Sequence, residues 1–170
     1  MHLWYTVYPS FVGEWTILAG EDGLRQLCYG VTSVEASARR DDRKLKKWFS
    51  LLDDWVAGRL DEPGVIEELG LLADPRFTPF QRDVLRSVCR IPRGMTKSYR
   101  ELAVEIGKPR AARAVGQAVA GNPFPLLIPC HRVVPSSGGV GNYTAGPGRF
   151  PGVIVKQKLL EHEQRQVGLK

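Results

Sequence analysis

The sequence is poor in the residues that build disulfide frameworks and metal sites. It contains three cysteines and three histidines in 170 residues, and no two cysteines are spaced as C-x-x-C. An odd, low cysteine count argues against a disulfide scaffold and is typical of a reduced, intracellular protein. A structural zinc site needs about four ligands at recognisable spacing. The sequence therefore predicts no metal site, and nothing in it indicates a cofactor.

Long apolar runs are also missing. No stretch approaches the roughly 18 residues of a membrane span, and residues 1–5 do not resemble the start of a signal peptide. Hydrophobic residues make up 43% of the chain and charged residues 25%, which is ordinary for a globular protein with a sizeable core. These features predict a cytoplasmic protein, with one large domain or two small ones.

Charge is distributed unevenly along the chain. Residues 1–75 hold 8 basic and 13 acidic residues, a net of −5, whereas residues 76–170 hold 16 and 5, a net of +11. We expect two domains with this boundary: an acidic structural domain over 1–75 and a basic domain over 76–170. The basic half is suited to a polyanion such as DNA, although solvated surface charge alone would give a similar imbalance.

The first half carries strand patterns and then a helix pattern. Apolar, β-branched and aromatic residues fill positions 3–7, 15–19 and 24–29, with turn residues between them, which predicts a β-meander. A helix is predicted next from one apolar stripe at three- and four-residue spacing, ending at Gly58. The stripe consists of Leu45, Trp48, Leu52 and Trp55. Residues 61–75 are predicted to be a connection between the domains.

The second half carries helix signals. Thr78 and Gln81 flank Pro79 as a capping box would, and Ser98 with Glu101 forms a second one, opening a helix that ends at Gly107. A third helix is predicted to run from Pro109 to about Val119. Two short helices around a glycine turn indicate a helix-turn-helix. The predicted fold is α+β: a small N-terminal antiparallel sheet plus helix, followed by a mainly helical winged-helix/helix-turn-helix domain.

The third helix is unusually thin. Most of its residues between 111 and 121 are alanine or glycine, and Arg113 is the one long charged side chain in its middle. Tight packing against neighbouring helices would explain this composition. A second interpretation is close approach to the minor groove, about 6 Å wide, with Arg113 as a probe. The basic charge of this half favours the second interpretation without deciding it.

Cys130 is the candidate nucleophile. It follows an apolar run at 126–128, predicted to be a buried strand, and stands beside His131 and Arg132. Nearby positive charge lowers the pKa of a thiol and raises its thiolate fraction. A small buried hydrophobe is the commonest role for a cysteine, and it fits Cys28 and Cys89 better.

Several motifs in a fixed order resemble the O6-alkylguanine-DNA alkyltransferases. The similarity runs from about residue 80 to residue 163 and is highly specific, whereas the N-terminal part matches only in general character. The motifs that carry it are Ser98-Tyr99, residues 111–116, Gly121-Asn122-Pro123, residues 129–133, Gly141-Asn142-Tyr143 and residues 159–163.

The resemblance implies a suicide reaction in which Cys130 accepts the alkyl group from a flipped base in double-stranded DNA. It implies that His131 and Glu163 activate the thiol through a water, that Tyr99 helps rotate the nucleotide and donates a proton, and that Asn122 is a hinge. The resemblance also implies that the pocket around the base is lined by Val133, Tyr143, Thr144 and Lys156. Arg113 would replace the flipped base, and contacts to the DNA backbone fall on Gln81, Arg100, Lys108 and Ser136. A monomer bound through the minor groove, without a membrane, is expected.

One segment departs from the family pattern. Between Tyr143 and Lys156 the chain is longer than in relatives, and Thr144 stands where serine is common. The glycines and prolines of residues 146–152 predict a mobile lid over the pocket. An inert surface insertion is the plainer interpretation.

Two other functions explain part of the sequence. A winged-helix DNA-binding protein without chemistry would account for the basic half, but not for adjacent cysteine and histidine. A cysteine hydrolase would account for Cys130 and His131, but not for a bare helix with one arginine.

Overall fold

The computed structural model describes residues 2–31, 34–60, 63–144 and 152–168. Four strands form one sheet: β1 (Leu3–Ser10), β2 (Gly13–Gly20), β3 (Gly23–Tyr29) and β4 (Arg39–Arg40). The sheet order is β3-β2-β1-β4, and β1, β2 and β3 pair antiparallel as the meander predicts. The two-residue β4, which pairs parallel with β1, has no sequence signal and was not predicted.

The helix predicted from the apolar stripe is α1 (Lys46–Val56), and it packs on this sheet. All four stripe residues are buried, with Trp55 at 2% exposure. Gly58 adopts φ +71°, a left-handed conformation that favours glycine after a helix. The fold therefore confirms both the helix and its stop.

Residues 61–75 are more ordered than a plain connection. They include α2 (Pro63–Glu68) and a 3₁₀ turn at Leu71–Ala73. Leu71 and Leu72 are buried because they belong to the same core cluster as both halves of the chain. The boundary at residue 75 stays a prediction.

The second half contains α3 (Pro79–Cys89), β5 (Lys97–Ser98), α4 (Tyr99–Glu105), α5 (Ala112–Ala120), β6 (Val133–Val134) and α6 (Gly152–Gly168). The predicted α+β class is confirmed, and α3, α4 and α5 pack on one another as the helical core of this half. β5 and β6 form a small parallel pair. No helix within the described residues is long and apolar enough to cross a membrane.

Local capping explains where these helices begin. The Ser98 hydroxyl accepts from the Glu101 backbone N–H, and the Glu101 carboxylate accepts from the Ser98 N–H, so this capping box is confirmed. At α3, Thr78 caps the Gln81 N–H as predicted. The Gln81 side chain, however, points to the end of α5 and donates to the Gly121 carbonyl at 3.3 Å, so the predicted reciprocal half of that box is wrong.

Two predicted boundaries are corrected. α5 begins at Ala112 rather than Pro109, because residues 107–111 form the turn after α4, with Ala111 N–H bonded to the Lys108 carbonyl. Residues 126–128 are not a strand. Leu126 has φ +71°, and Ile128 N–H closes a turn on the Phe124 carbonyl. The run is apolar because it is buried in the core, not because it pairs in a sheet.

The C-terminal half also completes the end of α1. The last carbonyls of a helix lack intrahelical donors. Here the Val56 carbonyl accepts from His162 and Gln166, and the Trp55 carbonyl accepts from Arg93. Side chains from α6 and from the loop before β5 thus tie the first half to the second.

Candidate active site

Cys130 opens a 3₁₀ turn, Cys130–Arg132, immediately before β6. The turn is held from both sides, since Cys130 N–H donates to the Ile128 carbonyl and Arg132 N–H to the Pro129 carbonyl. Pairing of β6 with β5 aligns Val134 with Ser98, the residue before Tyr99. Because Cys130 lies in a turn, its predicted position at the end of a strand is wrong. The β5–β6 pair nevertheless connects this turn to the start of α4.

The thiol of Cys130 is 4% exposed, and its Sγ lies 4.0 Å from the Tyr143 hydroxyl. Burial raises the pKa of this thiol; the Asn122 and Tyr143 side chains and the charge of Lys156 act in the opposite direction. The adjacent Arg132 predicts a lowered pKa for this thiol from the sequence alone. That prediction is wrong because burial dominates and because Arg132 bonds to Glu163 instead.

His131 is completely buried and is oriented by one carboxylate. Its Nε2 lies 2.9 Å from Glu163 Oε1, and its ring meets Trp55 edge-on with centroids 5.6 Å apart. Nδ1 is buried and has no hydrogen-bond partner among the described residues. Burial lowers the pKa of His131, and Glu163 only partly opposes this, which favours the neutral form of the ring. With the carboxylate accepting from Nε2–H, Nδ1 carries the lone pair.

Glu163 is the centre of a buried charge network. Arg132 donates to both carboxylate oxygens, at 2.9 and 2.8 Å, and the Gly94 N–H donates at 3.1 Å. Burial alone would raise the pKa of Glu163, but His131 and Arg132 outweigh it and hold the pKa well below its usual range. An ionised carboxylate is consequently fixed against the histidine.

Asn122 holds the loop between α5 and the cysteine turn. Its Nδ2 donates to the Ile128 carbonyl at 2.9 Å, and its Oδ1 accepts from the Phe124 N–H at 3.0 Å. These two bonds span the segment containing Leu126 with its positive φ. Asn122 therefore links the end of α5 to the turn that contains Cys130.

Lys156 and Tyr143 complete the surroundings of the thiol. Lys156 is 1% exposed, and its Nζ donates to the Val133 carbonyl at 2.6 Å. Burial lowers the pKa of Lys156 to about 8, and burial raises that of Tyr143 well above its usual value. The predicted helical face bearing Lys156, Leu160 and Glu163 is confirmed, because α6 buries all three.

Tyr99 is half-buried beside α5. A side chain at Gly116 would meet the Tyr99 ring at 3.7 Å, so the small residue allows ordinary contact there. Burial raises the pKa of the Tyr99 phenol, and Cys130 adds to the effect.

The exposed face of α5 alternates small and long side chains. It presents Ala114 and Ala120 beside Arg113 and Gln117, and Gln117 was not among the predicted DNA contacts. Other predicted DNA contacts are exposed as well: Arg100, Lys108 and Ser136, with Gln81 half-buried. Thr144 is exposed, and residues 145–151 of the predicted lid lie outside the described residues, whereas residues 152–155 already belong to α6.

Two functional candidates were absent from the predicted site. In the sequence, Arg132 is only a charge beside the thiol, and Arg93 has no signal that connects it to the site. A buried arginine has no distinctive sequence spacing, so only the fold brings both beside Glu163. Among the described residues, no group of three or more His, Cys, Asp or Glu side chains is placed to hold a metal ion.

Known proteins resemble this chain in sequence and in fold. A family model described as 6-O-methylguanine DNA methyltransferase, DNA binding domain, matches residues 79–165. The methylated-DNA--protein-cysteine methyltransferase of Methanosarcina barkeri is 35% identical, over 97% of this chain and 99% of its own length. The Homo sapiens protein of the same name is 44% identical over 67% of this chain, but the match covers only 55% of that protein.

A solved structure agrees over nearly the whole length. Mycobacterium tuberculosis OGT in complex with DNA superposes with a TM-score of 0.74 and 31% identity, covering 98% of this chain and 94% of that one. The family model and these relatives define the class as a DNA-binding methyltransferase. The chain belongs to the methylated-DNA--protein-cysteine methyltransferase family.

Proposed function

We propose that this DNA-repair methyltransferase moves the alkyl group of an O6-alkylguanine in DNA onto Sγ of its own Cys130. The observation that carries the proposal is the buried Cys130 next to a neutral His131, whose ring is fixed by an ionised Glu163. The thioether formed is stable and has no leaving group, so each molecule reacts once. A DNA-binding protein without chemistry would not need this buried network, and we do not favour that alternative.

Proton transfer from the thiol is assigned to His131. A thiolate, not a thiol, is the nucleophile, and burial holds the thiol of Cys130 protonated at rest. The lone pair on Nδ1 of His131 receives the proton through a water, while Glu163 stabilises the resulting imidazolium. Sγ then attacks the alkyl carbon, the bond from carbon to O6 breaks, and its electron pair moves onto the purine.

The purine must gain a proton as O6 leaves. Tyr99 is assigned as its donor, because its phenol stays protonated and it lies beside both α5 and the site. Lys156 is assigned to the pocket wall, where it fixes the Val133 carbonyl and adds a positive charge that favours the Cys130 thiolate. Tyr143 and Thr144 complete the pocket around the base, and Asn122 acts as the hinge.

DNA binding is assigned to the basic half. The exposed face of α5, with its small Ala114 and Ala120, is suited to the narrow minor groove, where Arg113 would fill the gap left by the flipped nucleotide. Gln81, Arg100, Lys108 and Ser136 would contact the phosphate backbone. We propose that the protein acts as a monomer in the cytoplasm.

The assignment is tested by mass spectrometry after incubation with duplex DNA containing O6-methylguanine. We expect one methyl group per protein molecule, on the peptide containing Cys130, even with DNA in excess. Unmodified protein that repairs many lesions would indicate a hydrolase and would overturn the proposal.

Arg113→Ala is expected to slow repair of duplex DNA by roughly 10–100-fold, since unstacking a base costs a few kcal/mol. Reaction with a free O6-alkylguanine base should hardly change, because no nucleotide has to be extruded. Single-turnover rates on both substrates measure the difference, with the neighbouring exposed arginine variant Arg110→Ala as a control for general loss of charge. Equal losses on both substrates would contradict the proposed role of Arg113.

A further inference from the structure

Arg93 is a buried cation that the mechanism above does not use. It lies in the turn between α3 and β5, is 5% exposed, and places Nη1 4.0 Å from Glu163 Oε1. Its Nη2 donates to the Trp55 carbonyl at 2.9 Å and its Nη1 to Gln166 Oε1 at 2.7 Å. Burying a guanidinium is costly unless it is paired and hydrogen-bonded, and these contacts supply both.

The same turn reaches Glu163 twice. Gly94, the next residue, donates its backbone N–H to Glu163 Oε2, while Arg93 brings a positive charge to the other oxygen. Helix α1 holds this turn in place. Arg93 donates to the Trp55 carbonyl, and its guanidinium carbon lies 4.9 Å from the centre of the Trp55 ring. A change in the last turn of α1 would thus be transmitted to the carboxylate.

Trp55 provides a second contact from α1. Its ring meets the His131 imidazole edge-on on one side and stacks with His162 at 6.4 Å. One residue of the N-terminal half therefore contacts both the histidine and, through Arg93, its carboxylate partner.

We infer that Arg93 is a positioning residue through which the N-terminal half fixes Glu163 and keeps His131 the neutral proton acceptor. This inference rests on the proposed function of Cys130. Arg132 and Arg93 together carry two positive charges beside one carboxylate, so the cluster has a net positive charge while His131 is neutral. A proton on His131 adds a third positive charge to a buried cluster, which is unfavourable until Cys130 becomes a thiolate.

The groups around the imidazole are consistent with this balance. The charged groups that act on it are Glu163 on α6, Arg132 in its own turn and Arg93, and α1 contributes the uncharged Trp55 ring. Lys156 and Tyr143 act on the neighbouring Cys130 thiol, and His162 stacks on Trp55. Burial is the main cause of the lowered pKa of His131, Glu163 opposes it, and Arg132 and Arg93 add to it. Substituting Arg93 removes one of these positive charges and leaves the side chains of Cys130, His131 and Glu163 unchanged.

The test is the pH dependence of the single-turnover rate with a free O6-alkylguanine base, which excludes DNA binding. Replacing Arg93 with glutamine should move the acidic limb upward by roughly one pH unit, or about tenfold in rate on that limb. Arg93→Lys keeps the charge and should keep the midpoint near that of the wild type, although it loses one of the hydrogen bonds. Arg82→Gln removes another arginine that donates to backbone carbonyls, those of Leu72 and Asp74, and should leave the profile unchanged.

The outcomes are distinguishable. A lower melting temperature for Arg93→Gln with an unmoved midpoint would reduce Arg93 to a structural residue and overturn the inference, as would an equal shift in Arg93→Lys. No transfer by the wild-type protein would instead overturn the proposed function. If Arg93→Gln does not fold, Arg93→Met replaces it, because methionine removes the charge but keeps a long side chain. ¹⁵N NMR should then show His131 of this variant protonating at higher pH than in the wild type, and an unmoved midpoint contradicts the inference.

Discussion

Cys130→Ala is expected to abolish alkyl transfer completely, below the detection limit of a single-turnover assay, while DNA binding stays close to that of the wild type. The thiol supplies the bond-forming atom, and no other cysteine can replace it because Cys28 lies on β3 and Cys89 at the end of α3, outside the turn that holds Cys130. Affinity for DNA, by contrast, depends mainly on contacts from basic side chains to phosphates. Transfer is measured as methyl incorporation, and binding as a titration at fixed salt concentration.

The matched control is Cys28→Ala, which removes a buried thiol of the N-terminal sheet. It should lower stability through lost packing but still transfer one methyl group per molecule, like the wild type. Methyl incorporation into Cys130→Ala would contradict the assignment of the nucleophile. Loss of DNA binding in that variant would show that the thiol also supports the structure of the DNA-binding surface.

Glu163→Gln is expected to reduce both stability and rate. Removing the carboxylate leaves buried Arg132 and Arg93 without their counter-charge, and breaking a buried ion pair typically costs about 3–5 kcal/mol. His131 also loses the anion that stabilises its protonated form, so the rate should fall by roughly 10²–10⁴. Urea denaturation measures the free energy of unfolding, and single-turnover kinetics on a free base measure the rate.

The pH dependence of this stability loss has a defined sign. Because the pKa of Glu163 is lowered in the folded state, its contribution is fully present above the unfolded pKa, about 4.3. It declines as the pH falls towards the folded pKa, so the wild type and Glu163→Gln should converge in acid. Glu161→Gln, an exposed carboxylate two residues earlier on α6, should change stability by no more than about 0.5 kcal/mol. Similar losses in both variants would contradict the role of the buried network.

Local sequence patterns were reliable where one physical effect dominates. The stripe of Leu45, Trp48, Leu52 and Trp55 predicts α1, since a helix with one apolar face must bury it. Ser98 and Glu101 predict the start of α4, since their side chains satisfy each other's backbone donors. Both patterns lie within a single helix and its cap.

Predictions failed where a local pattern is compatible with two different structures. Gln81 fits a capping box, but the unsatisfied carbonyls at the end of α5 lie within its reach and take its side chain. Residues 126–128 fit a buried strand, but burial alone does not distinguish a strand from a turn packed in the core. There the bonds of Asn122 to Ile128 and Phe124 hold a turn.

The sequence by itself determined the three-stranded meander, α1, the starts of α3 and α4, the basic character of the second half and the candidate nucleophile, because these depend on neighbouring residues or on composition. Only the tertiary structure decided the charge environment of that nucleophile. The pKa values of Cys130, His131 and Glu163 depend on burial and on charges that lie far apart in the chain. Arg93 and Trp55 contact this network across 70 or more residues of sequence because the fold places the end of α1 beside the turn before β5 and beside α6.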